Sequence, residues 1–469
     1  MPIPAILIAG THSGSGKTTA TLAIMAALVR RGVAVQGFKV GPDFIDPGHH
    51  AAITGRPGRN LDTWLLGPEA LARTYRRGSI GAEVAVIEGV MGLFDGRGGE
   101  DEAGSTADLA RLWRVPVALV VDAKGMARSI APTVQGFAGF DPRVEVVGVI
   151  ANRVGSPRHH DHYLAPALRD SCPSIAALGY LHRDEALAVP SRHLGLTTAD
   201  EFRPGSRFFD ALADAAEATL DVDRLLALAR VPDLPAERTQ REIETPARST
   251  RVAVARDSAF CFYYEDNLDL LRHFGAEILP FSPLANEPVP AGAELVYLGG
   301  GYPEVHADRL ARAGDTRASI RSFHAGGGTI LAECGGLMAC CRELVDASGQ
   351  GFPMWDLIPA RVAMQRRFAA LGYVTVVGRG VTPLGPDGTT IRGHEFHYST
   401  LEPLGPLDRA TELLRPDGDP KPDGIRVGGL LAGYAHLHFG SNPEVARNLV
   451  AGSSSRADRV VKLAEVGRR

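Results

Sequence analysis

Ala5-Ile6-Leu7-Ile8-Ala9-Gly10-Thr11-His12-Ser13-Gly14-Ser15-Gly16-Lys17-Thr18-Thr19 decides the fold of this chain. An apolar run of strand length leads directly into a glycine-rich loop closed by Gly-Lys-Thr, and residues 18–30 then carry Ala, Leu, Ile and Met at helical spacing. Strand, loop and helix in this order let backbone N–H groups and a helix N-terminus cradle phosphates. Lys17 would reach the terminal phosphates of ATP and Thr18 a magnesium ion, so Gly14, Ser15, Gly16, Lys17, Thr18 and Thr19 are candidate nucleotide-binding residues. The pattern G-x-x-x-x-G-K-S/T asks for glycine at position 11; this chain has Thr11, with Gly10 just before it.

Outward from the loop, apolar runs rich in Val and Ile alternate with helical patterns as far as about Leu220. That is how a parallel sheet covered on both faces reads, with strands expected at 5–8, 84–87, 117–121 and 146–150. A charged stretch with Pro232, Pro235 and Pro246 makes 231–250 the linker candidate. Beyond it the pattern restarts, with strands expected at 251–255, 276–279, 295–298 and 329–332 and a helix at 307–313. The expected architecture is therefore α/β throughout, a phosphate-loop domain at 1–230 and a second α/β domain at 251–469. The Gly-, Pro- and Asp-rich stretch 405–424 reads as a surface loop.

The 469 residues suffice for cores that need no disulfides, and a net charge of −4 argues against nucleic acid or an anionic membrane as partner. No apolar run approaches the roughly 18 residues of a membrane span, so a soluble, cytoplasmic protein is expected. Cys172, Cys261, Cys334, Cys340 and Cys341 form an odd set without C-x-x-C pairs. Such a set points to a nucleophile before a staple or a zinc site.

Magnesium takes oxygen ligands, and acids at strand ends beside the loop are natural suppliers. Glu88 ends one strand and opens Glu88-Gly-Val-Met-Gly-Leu-Phe-Asp-Gly96, where ligands bind in open α/β sheets. Lys39, Asp43 and Asp46 form a second cluster able to serve phosphate or metal, while His49 and His50 read as lining the loop. Asn152, after the strand 146–150, offers an amide for an adenine edge or simply a turn. In the second domain, Glu333-Cys334-Gly335-Gly336 places a thiol on a tight turn between strand and helix. The N–H of Gly335 then points into an oxyanion hole. The thiol needs a base, and two clusters offer one, His394 with His397 and His436 with His438. Cys340 and Cys341 read as small core residues.

These motifs carry a resemblance. Lys39-Val-Gly-Pro-Asp-Phe-Ile-Asp-Pro47, Asn60-Leu-Asp62, the stretch 88–96, Pro190-Ser-Arg-His-Leu-Gly-Leu196, Gly299-Gly-Gly-Tyr-Pro-Glu304, Ala332-Glu-Cys-Gly-Gly-Leu-Met338 and Tyr434-Ala-His-Leu-His-Phe439 follow the phosphate loop in this order. Across nearly its whole length the chain resembles the cobyrinic acid a,c-diamide synthase family of the cobalamin pathway, including its hydrogenobyrinic acid members. The resemblance implies a dethiobiotin synthetase-like synthase domain followed by a class I glutaminase domain. It implies ATP, magnesium, L-glutamine and a corrinoid as cofactor and substrates, and a homodimer. The chemistry implied is attack of glutamine-derived ammonia on a corrinoid carboxylate activated as an acyl phosphate, at the a and c acetates in turn.

Carried over by position, Thr18, Asp46 and Glu88 would serve the metal, and Lys39, Asp43 and Asp95 the synthase site. Cys334 would be the nucleophile, Gly301 and Gly335 the oxyanion donors and His436 the base. His438 stands where triad glutaminases place a glutamate, which leaves the imidazole without its usual carboxylate partner. Tyr263, Tyr264 and Glu265 would contact substrate or fill core, and Arg192 and His193 would meet corrinoid carboxylates or solvent. The rival readings are a nickel-sirohydrochlorin a,c-diamide synthase, cobyric acid synthase, and a regulatory phosphate-loop ATPase fused to a glutaminase-like binding module.

Overall fold

The apolar run that opens the chain becomes β1 (Ala5–Gly10), with every residue buried. This computed structural model describes residues 2–98, 101–184, 187, 191–192, 195–196, 207–236, 249–415 and 418–453. The chain divides into two units, Met1–Arg238 and Thr239–Arg469. The expected linker 231–250 lies in large part outside the described residues.

In the first unit β1 is joined by β2 (Val35–Val40), β3 (Arg59–Leu61), β4 (Val84–Glu88), β5 (Val117–Asp122), β6 (Val146–Val154) and β7 (Ala176–His182). They form one sheet in the order β3-β2-β4-β1-β5-β6-β7, and every pairing in it is parallel. Each expected strand is present and runs somewhat further. Side chains alternate between faces: Ile6 and Ile8 enter a core cluster with α1 (Lys17–Arg30) and the helix Arg207–Thr219, and the equally buried Leu7 faces the other side. Full burial of each such side chain contributes roughly 1.5–3 kcal/mol. The chain leaves β1 towards one edge and returns through β5 to the other. The carboxyl end of β1 is therefore a switch point, where open α/β sheets place ligands.

In the second unit β8 and β9, the ribbon Ser191–Arg192 and Gly195–Leu196, have been left behind in the first. β10 (Thr250–Ala255), β11 (Ala276–Phe281), β12 (Leu295–Leu298) and β13 (Thr329–Glu333) are parallel neighbours. After β14 (Cys341–Val345), β15 (Gly351–Pro353) and β16 (Ile358–Met364) come β17 (Ala370–Gly378), β18 (Thr390–His397), β19 (Ser399–Pro403), β20 (Asp408–Leu414), β21 (Lys421–Val427), β22 (Leu430–Gly433) and β23 (His436–Leu437). A ten-stranded sheet runs β11-β10-β12-β13-β22-β21-β20-β17-β18-β23, and a four-stranded one β15-β14-β16-β19.

β22 and β23 are five places apart in that order, about 24 Å if the sheet were flat, yet only Tyr434 and Ala435 join them. Three Cα steps span about 11 Å, so the antiparallel half curls round and returns β23 towards β22. The stretch 405–424 is not the expected surface loop; it carries β20 and the start of β21. Ala410 and Leu413 are buried; of the residues that read as loop, Gly418, Asp419 and Pro420 lie between the two strands, while Asp408 falls in β20 and Pro422, Asp423 and Gly424 in β21. Cys340 and Cys341 are fully buried in the core. Among the described residues no helix is long and apolar enough to cross a membrane.

Candidate functional site

The phosphate loop closes over the end of β1 because position 10 has no side chain. A Cβ there would stand 2.2 Å from Ser15 Oγ and 2.8 Å from Lys17 Cγ, so Gly10 supplies the close approach that the sequence pattern assigned to position 11. Gly14 and Gly16 hold φ of 82° and 94°. Gly16 leads into α1, whose N-terminus carries unsatisfied N–H groups. Asn152 Nδ2 donates to Ser15 O at 2.9 Å, and a Cβ on Gly16 would collide with it at 1.8 Å. Asn152, offered as an adenine reader, instead has its N–H on the loop backbone.

Parallel pairing of β2 with β4 sets Lys39 opposite Glu88. Lys39 Nζ lies 2.6 Å from Asp46 Oδ2 and 3.0 Å from Glu88 Oε1, and donates to Gly89 O at 2.8 Å. Thr18 Oγ1 donates to the same Glu88 Oε1 at 2.7 Å. His50 Nε2 lies 2.8 Å from Glu88 Oε2. Burial raises the Glu88 carboxyl, but Lys39, His50 and Thr18 outweigh it and hold the group below its usual range. Asp46 is pushed well above the usual range by burial and by Glu88, against Lys39. Burial also lowers Lys17 to about 8; Lys39 adds to this, while Glu88, Asp46 and Asp95 oppose it. Asp95 Oδ2 accepts from Gly92 N at 2.8 Å. Asp43 is spent locally, accepting from Ile45 N and Asp46 N at 3.0 and 3.2 Å at the start of α2 (Ile45–Thr54).

Among the described residues no group of three or more His, Cys, Asp or Glu forms a ready-made metal cage. Magnesium beside phosphates needs none, since it uses one or two carboxylates with phosphate and water oxygens. A hydroxyl from the loop, an ionised Glu88, and a buried Asp46 Oδ1 with no hydrogen-bond partner among the described residues fit that donor set.

In the second unit the parallel strands end together around Cys334. Its backbone is strained, φ 47° and ψ −98°, at a cost of about 1–3 kcal/mol that the surroundings must hold. Cys334 N donates to Gly433 O at 2.8 Å and Gly336 N to Gly299 O at 3.0 Å. The N–H of Gly335 faces the sulfur, and Gly301 N lies 3.0 Å from where a Cβ on Gly335 would stand. The ring of His436 rests on Gly300, where a Cβ would come within 2.2 Å of its Cε1. Burial pushes the Cys334 thiol far up, with Glu304 adding. It pulls His436 down to about 3, with His394 and His397 adding. Both shifts favour the uncharged forms, a thiol and an imidazole.

The other base candidates lie on β18 and just beyond β23. His394 sits opposite His436 in the β18·β23 register. His397 lies 2.9 Å from Ser399 O through Nδ1 and stacks on Tyr434 at 3.8 Å. His438 Nδ1 accepts from Gly440 N at 3.1 Å, its ring on Tyr264. Tyr263 supports the glycine loop, its hydroxyl accepting from Gly299 N at 2.8 Å; Glu265 pairs with Arg272. Arg192 belongs to the ribbon with Gly195–Leu196, and His193 lies outside the described residues.

Two contributors escaped the sequence reading, and a third, His50, was read only as lining the loop. His50 stands one helical turn after Asp46 on α2, a spacing that marked a shared face. Glu333 accepts from Tyr297 OH at 3.0 Å and from Leu437 N at 3.3 Å, tying β13 to β23. Burial raises it to about 8, against those two donors. Asn267 clamps the same strand, Nδ2 to Leu437 O and Phe439 N to Oδ1, both at 2.7 Å; no local pattern announced it.

Residues 6–196 match the family described as the CobQ/CobB/MinD/ParA nucleotide binding domain, and residues 251–444 the CobB/CobQ-like glutamine amidotransferase domain. Curated relatives match end to end. A cobyrinate a,c-diamide synthase from Dehalococcoides mccartyi is 41% identical over 96% of this chain and 98% of its own length. Those from Priestia megaterium and Syntrophotalea carbinolica are 41% and 43% identical, over 97% and 96% of this chain and 99% and 98% of their own. With a nucleotide-binding unit and a glutamine amidotransferase unit in sequence, the chain belongs to the cobyrinate a,c-diamide synthase family of glutamine-using, amide-forming ligases.

Proposed function

We propose that the chain amidates the a- and c-acetate carboxylates of a corrinoid, cobyrinic or hydrogenobyrinic acid, at the expense of ATP and glutamine. One observation carries the reading. A phosphate loop faces a Lys39–Asp46–Glu88 cluster in one unit, while the other holds a cysteine on a strained elbow next to a glycine run, 299–301, against which a buried imidazole rests.

In the glutaminase unit the sulfur of Cys334 attacks the side-chain carboxamide carbon of glutamine, and His436 accepts the thiol proton. Gly301 and Gly335 N–H groups stabilise the oxyanion, and His436 returns the proton to the departing ammonia. Water then cleaves the thioester, giving glutamate and free thiol. Because thiol and imidazole rest neutral, no buried charge pair has to be held before glutamine arrives.

In the synthase unit a corrinoid carboxylate oxygen attacks the γ-phosphorus of ATP and ADP leaves. Ammonia attacks the acyl phosphate carbon and phosphate departs with the C–O bond. Phosphoryl transfer is served by positioning and charge neutralisation. Here Lys17 and α1 would hold the phosphates, Lys39 would meet the transferred group, and Asp95 would line the pocket. Thr18, Glu88 and Asp46 would hold magnesium, which neutralises phosphate charge when bound.

Mass spectrometry of corrinoid incubated with the full chain, magnesium-ATP and glutamine tests the proposal. Each acid-to-amide conversion lowers the mass by about one unit, as the acyl-transfer chemistry requires. A product two units lighter that needs ATP is expected; no ATP-dependent mass change with either corrinoid would overturn it.

A further inference from the structure

Glu88 divides its two oxygens between different tasks. Oε1 takes the loop hydroxyl of Thr18 at 2.7 Å and Lys39 Nζ at 3.0 Å. Oε2 takes His50 Nε2 at 2.8 Å. A carboxylate is planar and turns as one unit about its last C–C bond, so a donor on Oε2 also sets the direction in which Oε1 points. His50 does so from a site built for it. It is fully buried, and β2 carries Gly37 where a Cβ would come within 2.6 Å of His50 Cβ. An ionised carboxylate can only accept, so Nε2 carries the proton and donates. His50 Nδ1 is buried with no hydrogen-bond partner among the described residues, in keeping with the tautomer that keeps its single N–H on the Glu88 side.

We propose that His50 is a positioning residue which holds Glu88 Oε2 and thereby keeps Oε1, the oxygen shared with Thr18, turned towards the magnesium of the nucleotide. The inference rests on the reading of Glu88 as a metal-side carboxylate. The arrangement is that of an outer-shell imidazole orienting a ligating carboxylate, and losing such a partner usually weakens metal binding 10–100-fold. His50 touches neither substrate nor nucleotide in this account and acts only through Glu88.

The test uses the full chain with a non-hydrolysable ATP analogue and Mn2+ as probe, its binding read by electron paramagnetic resonance. The Mg2+ dependence of amidation is measured alongside. His50→Leu is expected to weaken Mn2+ binding and raise the KM for Mg2+ about 10-fold or more, with kcat at saturating Mg2+ moved less. His50→Gln, whose Nε2 reaches a similar place, is expected to restore most of the affinity. Wild-type Mn2+ affinity in His50→Leu would overturn the proposal. So would a His50→Gln that folds normally, by thermal melting, yet binds Mn2+ about 10-fold or more weakly than wild type; this second variant keeps the test decisive if His50→Leu does not fold. Glu88→Gln separates the two layers. Unchanged Mn2+ affinity there would sink the metal reading itself, whereas a loss in Glu88→Gln without one in His50→Leu sinks the role of His50 alone.

Discussion

A methyl group at position 300 would stand 2.2 Å from Cε1 of His436, and the buried ring has nowhere cheap to go. Gly300→Ala should therefore cost glutamine hydrolysis about 10²-fold, the usual consequence of misplacing a reacting group by about 1 Å. Amidation driven by added ammonia should be spared. An unchanged glutaminase rate would mean that the imidazole does not work from where it rests. The phosphate loop offers a cleaner contrast. Gly14 and Gly16 both sit at positive φ, but a Cβ on Gly14 meets nothing within 4 Å while one on Gly16 meets Asn152 Nδ2 at 1.8 Å. Gly14→Ala should cost about 1–2 kcal/mol of backbone strain and little more. Gly16→Ala adds the loss of the Asn152 clamp and should abolish ATP binding, and calorimetric titration with melting curves of both variants separates strain from collision. Equal effects would show that Asn152 is not a clamp.

Among the elements, the two-residue β23 has the most to hold in place for its length. It pairs with β18, accepts the Asn267 amide through Leu437 O, and gives Leu437 N to Glu333. These contacts fix the backbone on which His436 stands. Just beyond it, burial pulls His438 from 6.5 to about 3. The unfolded imidazole takes up its proton below about pH 6.5 and the folded one does not, so its share of stability is complete above 6.5 and is lost as pH falls. Between pH 7 and pH 5 that loss is about 2 kcal/mol. His436 acts in the same sense, while Glu333, Glu304 and Asp423, raised by burial to about 8, 7 and 6, run the other way. The comparison must therefore be differential. His438→Asn, which keeps an acceptor for Gly440 N, should lose about 2 kcal/mol less than the parent over that range in denaturant titrations. Identical losses would mean that folded His438 protonates freely.

At the scale of the whole molecule, the parallel strands were legible because both their faces are buried and the chain writes them as continuous Val, Ile and Leu. The curled antiparallel half was not. Its strands alternate with polar residues, and β20 hid behind the Gly, Pro and Asp of its own turn. Lys17, Glu88 and Cys334 were legible because chemistry gathers at strand ends after glycine-rich turns. Glu333, Asn267 and Gly300 act across a hundred residues or more through contacts that no local spacing records. On the proposed reading, what unites the legible and the hidden parts is that each unit carries one chemistry on its own core. Cys334→Ser keeps the elbow and the fold while replacing the nucleophile, so it should lower glutamine-driven amidation about 10³-fold or more. It should leave amidation supported by ammonium salts, and that residual rate should climb with pH because only free ammonia carries the attacking lone pair. Retained glutamine-driven turnover would remove Cys334 from the mechanism. Loss of ammonia-driven turnover as well would show that the two chemistries are not separable, and that the thiol unit contributes to the acyl-phosphate step as something other than a source of ammonia.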